Sequence, residues 1–147
     1  MYLTKKTSVK FGTKVKSIEF ISDNGEVVIM NIKPHRIEDI VEEIGYWRKA
    51  NAVHQWFVSN VQEGEDDCKG YYVSREQLIE LLSICKKIKE NPTPENCEEL
   101  LPTQEGFFFG STQYGDGYMN DINETITIIE SALFEPKGGN FYYQSSW

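Results

Sequence analysis

The stretch 37-IEDIVEEIGYWRKANAVHQWFVSNVQ-62 decides how the fold is read. At roughly 100° per residue, Ile40, Ile44, Ala50, Val58 and Val61 fall within about 60° of Trp47, and Tyr46, Val53 and Phe57 widen that apolar arc. An arc of this width is what a core-facing helix shows, so the pattern predicts one helix from about Ile37 to Gln62. Glu43, Asn51 and His54 lie inside the arc, which places three polar side chains on the buried face. Trp56 points about 180° away from Trp47, among Lys49, Ala52 and Asn60, which predicts an exposed indole.

Upstream, Lys14–Ile21 and Glu26–Ile32 are rich in β-branched and apolar residues and flank Asp23-Asn24-Gly25. Asn-Gly accepts the positive φ angles of a tight turn, so an antiparallel hairpin is expected at about 14–32. Pro34 separates it from the central stretch. Downstream, the loop EGEDDCKG at 63–70 ends the predicted helix, and Tyr71–Val73 reads as a short extended segment.

Ser74 and Gln77 have capping-box spacing ahead of Leu78, Leu81, Leu82, Cys85 and Ile88, an apolar stripe at helical intervals. Pro92 stops that helix near Asn91, and Thr93 caps a short helical piece that starts at Pro94. The run GFFFGST at 106–112 reads as a buried strand, followed by the flexible turn QYGDGY. A helix is then predicted from Tyr118 or Asn120 to about Leu133. Glu135–Gly139 breaks it, and Phe141–Trp147 reads as a closing strand.

This order predicts an α+β fold, a single domain over residues 1–147 in which about three helices pack a small antiparallel or mixed sheet. A parallel crossover within 106–147 is compatible with the order of elements.

A chain of 147 residues suits one core. Its net charge of −8 is unevenly spread, because residues 1–16 hold five lysines and no acid, leaving ten basic and 23 acidic residues elsewhere. An acidic body repels phosphates, so direct nucleic-acid binding is not expected outside the amino-terminal segment. The same charge suits contact with a basic protein surface. Three cysteines without paired spacing, no apolar leader and no membrane-length run predict a reduced, cytoplasmic protein with no membrane partner.

Few motifs carry chemistry. His54 near Asn51 offers acid–base or ligand-orienting capacity, although a hydrogen-bonded core network is the commoner role for a buried histidine. His35 sits at a predicted strand–helix junction, as loop surface. Asp66, Asp67 and Cys68 are adjacent rather than spaced around a common centre, and Tyr118 interrupts the calcium-loop pattern of Asp116, Asn120 and Asp121, so no metal or cofactor is expected. The glycines around GFFFGST lack a phosphate-loop signature and read first as turn formers. Ser111 and Tyr114 could still line a small pocket with Trp47, Asn51 and His54. No nucleophile motif points to an enzyme.

The blocks Tyr46–Asn51, His54, Trp56-Phe57, Asp66–Cys68, Tyr72–Ser74, Leu101–Thr103, Gly106–Thr112 and Ser145–Trp147 resemble, in this order, a family of small phage and prophage proteins. The likeness covers roughly residues 46–147. It implies a small accessory product of a virus or mobile element, acting in the cytoplasm of a bacterial host, where such proteins often modulate host enzymes or immunity. The leading expectation is a non-enzymatic inhibitor of a host protein, such as a defence nuclease of the CRISPR type, with Trp56 as its anchor. The rival is a module that binds or degrades a small nucleotide-like ligand through Trp47, Asn51, His54, Ser111 and Tyr114.

Overall fold

Met1 and Trp47 hold the two ends of a strand pair together: the Met1 ammonium donates to the Trp47 carbonyl (3.1 Å) and the Trp47 N–H to the Met1 carbonyl (2.9 Å). Between them run β1 (Tyr2–Ser8) and β4 (Asp39–Tyr46), antiparallel from Tyr2↔Tyr46 to Ser8↔Asp39 with a register shift between Leu3 and Thr4. The computed structural model describes residues 1–9, 19–21, 24–25, 27–29, 36–106, 110–134 and 138–146.

The single helix expected over Ile37–Gln62 is therefore corrected. Its first half is β4 and only Asn51–Asn60 is helical, as α1. The β-branched residues Ile40, Val41 and Ile44 suit an extended backbone, and β1 offers a row of backbone donors and acceptors that a helix would leave unused. Lys6 Nζ pairs with Asp39 Oδ2 at 2.7 Å and Ser8 Oγ donates to Asp39 Oδ1 at 2.7 Å, fixing the far end. Lys49 then takes a left-handed φ of 58°, which separates the strand from the helix. Glu43, expected on a buried face, is exposed on β4.

Residues 2–8 of the lysine-rich start are thus held in the sheet. β1 is an inner strand of a four-stranded antiparallel sheet of order β4-β1-β6-β5, with β5 at Tyr71–Val73 and β6 at Asn140–Gln144. Leu3 lies opposite Tyr143 and Lys5 opposite Phe141, and these four side chains are buried on one face. Tyr2, Thr4 and Tyr142 take the opposite face by strand alternation. The expected hairpin forms as β2 (Glu19–Ile21) and β3 (Val27–Ile29), with Gly25 at φ 81° in its turn.

Local signals set the helices closely. Ser74 and Gln77 form the capping box reciprocally at the start of α2 (Arg75–Glu90), and Thr93 caps α3 (Pro94–Leu100). The last helix, α4, spans Asp116–Phe134 and packs along α2 and against α1 and β4. It crosses β4 at Gly45, where a Cβ would lie 2.3 Å from Ile128 Cγ2. Phe107–Phe109, at the centre of the expected strand 106–112, lie outside the described residues, as do His35 and Trp147; Gly110–Thr112 form no strand. β6 is antiparallel to both neighbours, so it closes no parallel crossover.

Trp47, Phe57, Leu78, Leu81, Ile88, Leu101, Ile122, Ile129 and Tyr143 fill one core between the sheet and the helices. Phe57 and Tyr143 stack face to face, 3.9 Å between centroids and 6° between planes. Such a pair adds about 0.5–1.5 kcal/mol beyond its buried area. Among the described residues no helix is long and apolar enough to cross a membrane. The architecture is α+β, in a single domain.

Candidate functional site

The segment 47–54, where β4 gives way to α1, feeds two polar clusters of opposite character. His54 belongs to the first. It is 1% exposed, with Nδ1 2.6 Å from the Tyr143 hydroxyl and Nε2 3.2 Å from Asp66 Oδ2. An ionised carboxylate only accepts, so Nε2 carries the proton and donates to Asp66, while Nδ1 accepts from the Tyr143 O–H. Ser145 Oγ donates to the other Asp66 oxygen at 3.0 Å.

Burial lowers the His54 pKa, the Asp66 bond opposes that shift, and the amino-terminal ammonium lowers it further. Burial also pushes the Tyr143 phenol up, so it stays protonated. Ser, His and Asp meet here in the wrong order for nucleophilic catalysis. The serine bonds to the carboxylate rather than to the imidazole, both imidazole nitrogens are engaged, and Ser145 is fully buried. The cluster is a clamp between α1, β6 and the 63–70 loop, with His54, Tyr143 and Ser145 buried and Asp66 at the solvent edge.

The second cluster is open. Asn51 is buried at the start of α1, where its Nδ2 donates to the carbonyls of Gln104 (2.9 Å) and Ser111 (3.3 Å) and its Oδ1 accepts from the Gln104 N–H (2.7 Å). One amide therefore staples both Gln104 and Ser111 to the start of the helix. Gly110 completes the approach: at φ 84°, a Cβ there would come within 3.1 Å of the Lys49 carbonyl. Thr103 Oγ1 donates to the Thr112 carbonyl at 3.1 Å, and the Tyr114 hydroxyl accepts from the Thr103 N–H at 3.3 Å.

Between Ser111–Gln113, the Arg48-Lys49 turn and the first turns of α4 lies a cleft of about 310 Å³, lined by Arg48, Lys49, Asn51, Ser111, Gln113, Asp116, Tyr118 and Asp121 among others. Burial pushes the Asp121 carboxyl up to about 6, with Glu124 adding to the shift. A half-buried carboxyl that exchanges its proton near neutrality is a common feature of binding and catalytic sites.

Of the five residues expected to share a pocket, Asn51 and Ser111 do line one cleft. Trp47 is sealed in the core, its Nε1–H donating to Thr125 Oγ1 at 2.9 Å. His54 faces Asp66 and Tyr143, and Tyr114 packs edge-on to Tyr118 at 5.1 Å without lining the cleft. Trp56, expected on the surface, is 6% exposed and packs edge-on against Phe57 at 5.2 Å. Helical phase now runs from Asn51 alone, and the face opposite Trp47 is covered by α2 and the end of α3; the indole lines a shallow groove with Ala52, Ile84 and Leu100.

Arg48, Lys49, Asp116 and Asp121 escaped the sequence reading of this cleft, because only the β4–α1 break turns the two cations toward α4. Asp66 escaped as the histidine's partner, its run of acids reading as a solvated loop. Among the described residues no three His, Cys, Asp or Glu side chains are grouped to hold a metal. No family model, curated protein or solved structure matches the chain.

Proposed function

We propose that this chain is a non-enzymatic accessory protein that captures and inhibits another protein, a host defence factor such as a CRISPR-type nuclease, through the exposed side of its sheet. The observation that carries this reading is β4. It is an eight-residue strand at the edge of the sheet, and it leaves Val41 62% and Ile40 44% exposed. Proteins usually blunt such edges, since an open row of backbone donors and acceptors recruits further strands.

Glu38, Asp39, Glu42 and Glu43 make this edge acidic, which favours a basic partner and opposes pairing of two copies of the same strand. Tyrosines extend the surface on the helix-free face: Tyr2 lies 5.1 Å from Tyr46, and Tyr72 meets Tyr142 at 6.1 Å. Tyrosine supplies large contact area at low entropic cost. The likeness to phage and prophage accessory proteins supports the same reading. With Trp56 buried, β4 replaces it as the anchor.

The test is relief of CRISPR interference in bacteria that express the chain. Wild type restores plasmid establishment. Ile40→Lys with Val41→Lys, which leaves the core untouched, abolishes the effect, and an unchanged effect in this variant refutes the assignment to β4. A second reading, a small-ligand module, is favoured by one observation, the meeting of Asn51 and Ser111 at the cleft.

A further inference from the structure

The β4–α1 turn places two consecutive cations, Arg48 and Lys49, on the wall of the 310 Å³ cleft. Both are exposed, and among the described residues neither enters an ion pair. Lys6, Lys69 and Lys86, by contrast, each sit on a carboxylate. The start of α4 forms another part of the wall, with Gly115, Asp116 and Gly117 lining the cleft. Ser111 adds a hydroxyl to the rim.

From this geometry we infer that the cleft is a binding site for a phosphate monoester of a small polar molecule, with the phosphate held between Arg48, Lys49 and the start of α4. The inference is independent of partner capture and specifies the ligand-module reading. Phosphate suits the donor set because it presents three acceptor oxygens, enough for a guanidinium fork, an ammonium and backbone N–H groups together. The cleft's volume leaves room beyond the phosphate for an organic moiety.

Asp121 gives the site a proton switch. Glu124 of α4 is the charged group that acts on it; Arg48 and Lys49 from the turn and Asp116 from α4 share the cleft's lining, to which Thr103, Ser111 and Gln113 add no charge. Protonated, its carboxyl donates to an anion; ionised, it repels one. Its proton leaves near pH 6, so anion binding tightens as pH falls through about 6 and weakens above it.

The experiment is an NMR titration of the full chain with sulfate, inorganic phosphate, AMP and adenosine. Sulfate remains a dianion throughout, so any pH dependence of its binding belongs to the protein. Sulfate and AMP are expected to shift the Gly115, Gly117 and Ser111 amides, AMP more tightly than sulfate. Arg48→Gln and Lys49→Gln, at exposed positions, should each raise Kd about tenfold, the loss of one charge-assisted contact. Asp121→Asn should abolish the pH dependence of sulfate binding while retaining binding at pH 7.5. Adenosine binding without any response to sulfate, phosphate or AMP overturns the phosphate site but leaves a ligand module standing. No response to any probe, or anion binding unchanged in both cation variants, overturns both.

Discussion

The His54 cluster and the Arg48–Asp121 cleft draw on neighbouring residues of one segment, yet in one the polar groups satisfy each other and in the other they line an open cleft. In the first, each nitrogen of the imidazole has a partner and its residues belong to three elements that the core clamps together. In the second, Arg48 and Lys49 carry uncommitted charge, and the walls come from a turn, a loop and the start of a helix. The contrast teaches that buried polarity marks structure here, whereas unspent polarity at the surface marks the candidate site.

The largest expected effect breaks the clamp. Tyr143→Ala removes the ring stacked on Phe57 and the donor to His54, and should cost about 3–5 kcal/mol in urea unfolding. Arg48→Gln in the cleft should stay within about 0.5 kcal/mol of wild type in the same measurement. Equal losses would erase the distinction between the two clusters.

Asn51 stands at the boundary, buried like the clamp but lining the cleft. Asn51→Ala orphans the Gln104 N–H, and should cost about 1–3 kcal/mol. Hydrogen exchange should at the same time rise across 104–113 and stay unchanged at β6. Faster exchange at β6 would mean that the cleft and the clamp open as one unit.

The two clusters also titrate with opposite sign. His54 has a folded pKa below its unfolded value, so its contribution is fully present above about pH 6.5 and is lost as pH falls below it. Asp121 has a folded pKa raised to about 6, so its contribution is present below about pH 4 and is lost as pH rises through 6. His54→Gln should flatten the acid limb of a stability–pH profile, and Asp121→Asn should gain about 1 kcal/mol at pH 8 relative to pH 4, a figure discounted for solvent screening. A neutral limb unchanged by Asp121→Asn would contradict the burial of that carboxyl.

The smallest effect extends the contrast to the thiols. Cys85 is sealed in the α2 stripe with its pKa pushed up to about 12, and Cys97 is buried too, whereas Cys68 is partly exposed at φ 60°. Thiol titration at pH 8 should show one fast group and two slow ones, and Cys68→Gly should change stability by no more than about 1 kcal/mol, toward gain, because glycine adopts that φ without strain. Fast labelling of Cys85 would show that the helical layer breathes.

How much of this was legible depends on the range of the interaction. The capping box at Ser74, the Thr93 cap and the Asn24-Gly25 turn are contacts within a few residues, and each appears where the spacing places it. Asp39–Tyr46 carries β-branched residues whose spacing also satisfies a helical wheel, and only β1, more than thirty residues away, selects the strand. The same selection moved Trp56 inward and Glu43 outward. Asn51 and Ser111 were legible as polar residues beside apolar runs, but their meeting through a loop sixty residues on was not.

The sequence by itself determined an acidic α+β domain, the limits of α2 and α3, and the hairpin turn, because charge, capping and turn chemistry act locally. Only the tertiary structure decided that Tyr2–Ser8 is an inner strand, that the central stretch divides at Lys49, and that Arg48 and Asp121 line one cleft. Strand pairing and enclosure depend on partners distant in the chain, whose backbone groups and surfaces choose among conformations that local propensity leaves nearly equal.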